Sequence, residues 1–219
     1  MVHISDGVLP MTMIAAGFGF TIIILIYSLR GMQAEEVPKI SLITAALFVA
    51  SLIHFPVGPT SVHLILNGLA GIMLGRRAYA SVFVALTLQA IFFSHGGLTT
   101  LGVNAFNIGI PAFLAWKIFE HRRMLDSPKR EVVFGGLAAG IAVLASAIFV
   151  SLELMATGEA FQEIAILVIA AHLPVILIES LVAGAAAGFL ARVMPQMLVP
   201  GMQKTMNSHQ SGGALNEWS

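Results

Sequence analysis

Cysteine is absent from the 219-residue chain, which excludes disulfides, thiolate metal sites and thiol redox chemistry and leaves the compartment undetermined. Charge is nearly as scarce. Acidic and basic residues make up 10% of the chain, against 58% hydrophobic residues and a mean hydropathy of +0.91. A soluble domain carries roughly 25% charged residues, so this chain has too few to cover a water-facing surface and reads as an integral membrane protein. Its net charge of zero gives no support to nucleic acid as a partner. Neither a Gly-x-x-x-x-Gly-Lys-(Ser/Thr) phosphate loop nor a His-Glu-x-x-His helix occurs, which argues against an ATPase or an intramembrane metalloprotease. The two halves show no internal repeat of the kind many secondary transporters have. The opening residues have neither the basic region nor the cleavage site of a signal peptide.

What the chain does have is apolar runs of membrane-spanning length, about 20 residues for a helix. They predict an all-α bundle of about seven transmembrane helices over 11–29, 41–53, 61–75, 78–94, 105–119, 132–154 and 161–193. Pro56, Gly58 and Pro59 break the chain between the second and third. Residues 95–104 form a loop rich in glycine and small polar residues. The last run contains Pro174 and reads as one kinked helix or two segments. Residues 1–195 are expected to be the transmembrane domain and 196–219 a loose polar tail.

With the N-terminus outside, all basic residues fall on inner loops or the tail: Arg30, Lys39, Arg76, Arg77, Lys117, Arg122, Arg123, Lys129, Arg130, Arg192 and Lys204. The positive-inside rule then predicts an outer N-terminus and a cytoplasmic C-terminus.

This orientation collects His3, His54, His63 and His95 on the outer side, with His121 and His209 opposite and His172 deep in an apolar run. Neutral imidazole is the commonest metal ligand. His3 adds a further possibility, because an α-amine, amide nitrogens and Nδ1 can close chelate rings around one cation. That planar nitrogen set favours Ni(II) or Cu(II). The plainer reading of His3 is a solvated tail residue. Asn67, four residues after His63, is expected one turn along the same helix face. His95 and Asn104 would come from the neighbouring loop as helper groups. Equally, Asn67 fits a helix-packing hydrogen bond, His95 a turn residue and His54 an interfacial one. His172 and Glu179, seven residues apart, share a helix face. Intramembrane ionisable groups are functional candidates, here as a proton relay or as a mutually satisfied pair beside Pro174. The spacings Gly71–Gly75, Gly136–Gly140 and Gly184–Gly188 suit close helix contacts, internal or with a partner.

Three blocks carry a resemblance: His3-Ile4-Ser5-Asp6-Gly7-Val8-Leu9; Pro56-Val57-Gly58-Pro59-Thr60-Ser61-Val62-His63-Leu64 with Asn67-Gly68-Leu69; and His95-Gly96-Gly97-Leu98-Thr99-Thr100-Leu101-Gly102-Val103-Asn104. His172-Leu173-Pro174 with Glu179 is a weaker fourth. In this order they resemble the CbiM/NikM family, the cobalt- and nickel-specific membrane component of energy-coupling-factor (ECF) importers, over about residues 1–195. The resemblance implies an S-component-like bundle in a prokaryotic plasma membrane, with the N-terminal segment inserted at the external side. It implies Co(II) or Ni(II) as cargo and no organic cofactor. The partners it implies are a transmembrane coupling (T) component, ATP-binding cassette ATPase subunits and a small accessory membrane protein. It further implies a metal held by the terminal amine, the amide nitrogen and Nδ1 of His3, and by His63. The family has histidine directly after the initiator, whereas Val2 intervenes here. Removal of Met1 would let Val2 supply the amine; retention would let Met1-Val2-His3 offer four nitrogens. A self-contained proton-coupled transporter using His172 and Glu179 is the alternative.

Overall fold

The computed structural model describes residues 3–57 and 60–199, and of residues 54–57 and 60–62 the backbone. Seven α-helices succeed one another: α1 (Met11–Leu29), α2 (Val37–Ala50), α3 (Asn67–Leu74), α4 (Ala78–Phe93), α5 (Leu101–Glu120), α6 (Arg130–Thr157) and α7 (Gln162–Val193). Between α2 and α3 lies an antiparallel hairpin of β1 (His54–Val57) and β2 (Thr60–His63), in which His54 pairs with His63. The protein is therefore a helical membrane bundle with one short hairpin let into it. Among the described residues, five stretches are by length and composition apolar enough to cross a membrane: α1, the run from α3 through α4, α5, α6 and α7. The last is a single helix that runs through Pro174.

The third predicted helix is corrected. Residues 61–63 are strand and 64–66 irregular chain, and α3 begins only at Asn67. Asn67 is thus not one helical turn along from His63. The fifth helix starts at Leu101, four residues earlier than expected, so Asn104 stands in its first turns and not in a loop. The packed unit also continues past residue 195. Leu198 is buried, and the Val199 N–H donates to the Ile72 carbonyl at 3.0 Å.

α3 and α4 form a tight reversal at Gly75, whose φ of +57° is open to glycine at little cost. A Cβ there would also meet the Trp116 ring at 3.3 Å. The reversal returns His95, just after α4, to His63, just before α3, with ring centroids 6.4 Å apart.

The bundle consequently has two distinct ends. At one, Arg77 donates to the carbonyls of Ser28, Arg30 and Gly31, where α1 finishes, and pairs with Glu36 at 2.7 Å. Lys39 reaches the Gln196 carbonyl at the same end. All ten described Lys and Arg residues belong to helix termini and turns there, while the imidazoles of His3, His63 and His95 gather at the other end.

Packing rests on small residues and on satisfied polar groups. Gly136 and Gly140 face Ser180, and Gly184 faces Val132 and Gly136, so two of the glycine pairs serve the contact of α6 with α7. Asn67 is fully buried; its amide donates to the Ile108 carbonyl at 3.2 Å and to Ser146 Oγ at 3.0 Å, joining α3 to α5 and α6. That is the helix-packing role of a membrane asparagine. On the outside, α1 exposes Ile22, Ile23 and Ile26, a surface suited to lipid and not to water.

Candidate metal site

The N-terminal segment is bound to the start of α5 by side chains that grip main-chain groups. Asn104 accepts from the Ile4 N–H at 2.8 Å through Oδ1 and donates to the Ile4 carbonyl at 3.0 Å through Nδ2. Thr100 Oγ1 donates to the same carbonyl at 2.6 Å. Asp6 Oδ1 accepts from the Thr99 N–H at 2.9 Å and from the Thr99 hydroxyl. The Thr99 hydroxyl beside Asp6 holds its carboxyl below the usual carboxylate range. Gly96, with φ +75°, lies under His3; a Cβ there would come within 3.3 Å of the His3 Cβ and 3.0 Å of Asn104 Nδ2.

His3 is carried inward by these contacts to 6% exposure, and neither of its ring nitrogens makes a hydrogen bond. Burial first, and the neighbouring His63 imidazole second, hold it well below the usual imidazole range. A neutral ring has a lone pair available at physiological pH. This is a burial no solvated tail would show.

The His63 ring stacks on that of His3, with centroids 4.9 Å apart and planes 13° from parallel. Its Nδ1 lies 2.9 Å from the Leu64 carbonyl. Donation there fixes the tautomer and leaves Nε2 as the lone-pair nitrogen, as in many metal-ligating histidines. His95 continues the stack beyond His63, 4° from parallel. His54 lies opposite His63 in the hairpin by backbone register. Among the described residues, no group of three or more His, Asp and Glu side chains converges to hold a metal ion. An ion held here by His3 and His63 therefore needs further donors from outside the His, Asp and Glu side chains. Met1 and Val2 lie outside the described residues.

Glu179, on α7, is 1% exposed and accepts from the Ile65 N–H and the Leu66 N–H, the latter at 3.0 Å to each oxygen. It ties α7 to the segment just after His63. His172, fully buried on the same helix, back-bonds through Nδ1 to the Val168 carbonyl at 2.6 Å, and its Nε2 has no hydrogen-bond partner. The two groups therefore have separate partners and do not form the mutually satisfied pair considered from their spacing.

His3 and His63 line one wall of a cavity of about 10 Å³, room for about one water-sized particle. The structure gathers His3, His63, His95 and Asn104 at one end of the bundle and turns Asn67 to Ile108 and Ser146 instead. Sequence reasoning passed over Gln89, which lines the same cavity from α4. The available signal was its standing as an uncharged amide inside an otherwise apolar helical run.

A helical bundle with stretches of membrane-spanning length and imidazoles buried at one end is that of a multi-pass membrane protein. Solved structures share the fold. One described as a transition metal transporter aligns over 95% of this chain and 99% of its own, with a TM-score of 0.73 at 23% identity. The family described as the cobalt uptake substrate-specific transmembrane region, CbiM, matches residues 3–197, and the chain belongs to that family.

Among curated relatives, a Haemophilus influenzae protein named "Putative metal transport protein" is 35% identical, over 90% of this chain and 96% of its own length. The cobalt transport protein CbiM of Sorangium cellulosum is 29% identical, over 90% of this chain and 94% of its own. The fused nickel transport protein NikMN of Rhodobacter capsulatus is 30% identical over 69% of this chain, which spans 46% of that longer protein.

Proposed function

We propose that this chain is the substrate-capture subunit of an ATP-driven importer of Co(II) or Ni(II). The observation that carries the reading is the buried stack of His3 on His63, held by hydrogen bonds to the N-terminal main chain. After loss of Met1 the ion is bound by the Val2 amine, by the amide nitrogen and Nδ1 of His3, and by His63 Nε2. With Met1 retained, the tripeptide Met1-Val2-His3 supplies the four nitrogens and His63 stands on the axis or behind them. His3 turns from the stack toward the shared ion as it binds. Such a nitrogen set suits Ni(II) and Co(II) better than hard cations. Asn104 and His95 act behind these ligands, Asn104 by fixing the Ile4 main chain and His95 by backing the His63 ring.

Capture takes place at the outer face, with the arginine-rich end cytoplasmic, as the positive-inside rule requires. ATP hydrolysis comes from separate cassette subunits acting through a coupling membrane protein. Release follows when those partners disturb the bundle and part the N-terminal segment from His63. The proton-coupled alternative finds less support, because Glu179 is engaged by the Ile65 and Leu66 main chain and His172 by Val168.

Intact mass and metal content of a chain with an untagged N-terminus test this, beside His3→Ala and His63→Ala. About one cobalt or nickel per chain, lost in both variants, is expected, and the mass distinguishes a Met1 from a Val2 amine. Metal retained in both variants would overturn the site.

A further inference from the structure

Two polar side chains in the wall of the His3–His63 cavity have no part in the roles above: Ser51, whose hydroxyl already donates to the Phe48 carbonyl at 2.6 Å, and Gln89. Gln89 stands on α4, its side chain is 4% exposed, and its Oε1 has no hydrogen-bond partner. The wall around it is apolar, with Val82, Leu86 and Ile108 beside it. A buried amide oxygen without a partner is destabilising. A helix position facing an apolar wall would be filled at no such cost by leucine. The cavity has room for about one water-sized particle, so the Gln89 oxygen and the two imidazoles are confined around the same small space.

The identity of the ion decides what an oxygen there would do. A plane of four nitrogens satisfies Ni(II), which in a strong planar field gains little from a further donor. Co(II) in the same plane keeps an electron distribution that accepts a fifth donor along the axis. Amide oxygen, harder than imidazole, is such a donor.

Resting on the capture site proposed above, we infer that Gln89 is a metal-discriminating residue: its Oε1 supplies an axial oxygen to the ion held by His3 and His63, favouring Co(II) over Ni(II). Its α4 backbone is fixed independently of the ligands, since the His95 N–H donates to the Gln89 carbonyl at 3.3 Å. The side chain therefore approaches the ion from a wall that neither the N-terminal segment nor β2 provides.

The test uses the full chain in detergent with Co(II) and Ni(II) chlorides supplied separately. Gln89→Leu is expected to weaken Co(II) binding by about tenfold or more while Ni(II) binding stays within a few-fold of wild type. Gln89→Glu, which keeps an oxygen, is expected to retain Co(II). Equal weakening for both ions, no weakening, or a preferential loss of Ni(II) overturns the inference. Should the leucine variant not fold, X-ray absorption of the cobalt-loaded wild-type chain decides between five light-atom neighbours, which support it, and four, which overturn it. His3→Ala serves as the separate control. Undiminished metal in that variant means the capture site itself was misplaced, whatever Gln89 does.

Discussion

Glu179 meets Leu66 across the bundle: both carboxylate oxygens lie 3.0 Å from the Leu66 N–H, and Leu66 has a φ of +52°. A leucine in that left-handed region costs on the order of 1–3 kcal/mol and persists only where its surroundings hold it. Here the hold comes from another helix. α3 has no side-chain cap of its own at Leu66, and a carboxylate at a helix start is favoured by the helix dipole. The same contact fixes the exit of the strand that bears His63.

The first prediction follows from that contact. Glu179→Leu leaves two buried main-chain N–H groups without an acceptor, at about 1–3 kcal/mol each. It should lower the melting temperature and weaken metal binding by about 10–100-fold. Glu179→Gln, retaining one acceptor oxygen, should lie between the two. The measurement is thermal unfolding in detergent beside metal titration. Wild-type affinity in Glu179→Leu would mean that the contact does not position His63.

Asn104 should govern docking of the N-terminal segment. Asn104→Ala removes both bonds to Ile4, whose side chain is 3% exposed, and strands its N–H, costing about 1–3 kcal/mol. Limited proteolysis should then cleave before α1 more rapidly, with a parallel loss of metal affinity. Asn104→Asp keeps the acceptor for the Ile4 N–H and should dock better than alanine. Equal cleavage rates in all three chains would rule the clamp out.

Docking should also depend on pH, with a sign fixed by His3. Its docked ring is held below the usual value of 6.5 by burial. The undocked segment therefore takes up a proton that the docked one resists. Docking is at full strength above 6.5 and weakens as the pH falls below it. Asp6, held below 3.8 by Thr99, adds a second loss only below that value, as its carboxylate becomes protonated. Hydrogen exchange of the Ile4 amide from pH 7.5 to 5 measures the first window. His3→Phe should flatten the profile there; an unchanged profile would place the titrating group elsewhere.

Much of this was legible in the residues. Hydropathy alone marked α1 at its observed limits and α4 to within a residue, because a lipid-facing helix must be apolar for its whole length. The distribution of Arg and Lys marked the two ends, since charges are confined to the places where helices leave the bilayer. His3, His63 and His95 were legible as a group because each flanks an apolar run on the same side.

The hairpin was not. Residues 61–66 are mostly apolar whether they form a helix or a strand, and hydropathy does not separate the two in so short a run. Only the pairing of His54 with His63 decides it, and that pairing joins residues from either side of a turn. Glu179 and His172 likewise share a helix face in sequence, yet each found its partner elsewhere: Glu179 in the main chain beyond His63, His172 in its own helix. Composition determined that the chain enters a membrane, and the order of its residues which charges gather at one end and which imidazoles at the other. The tertiary structure decided which of them stack, because stacking depends on Asn104 and Glu179 gripping main-chain groups about 100 residues away, and no local pattern records so distant a partner.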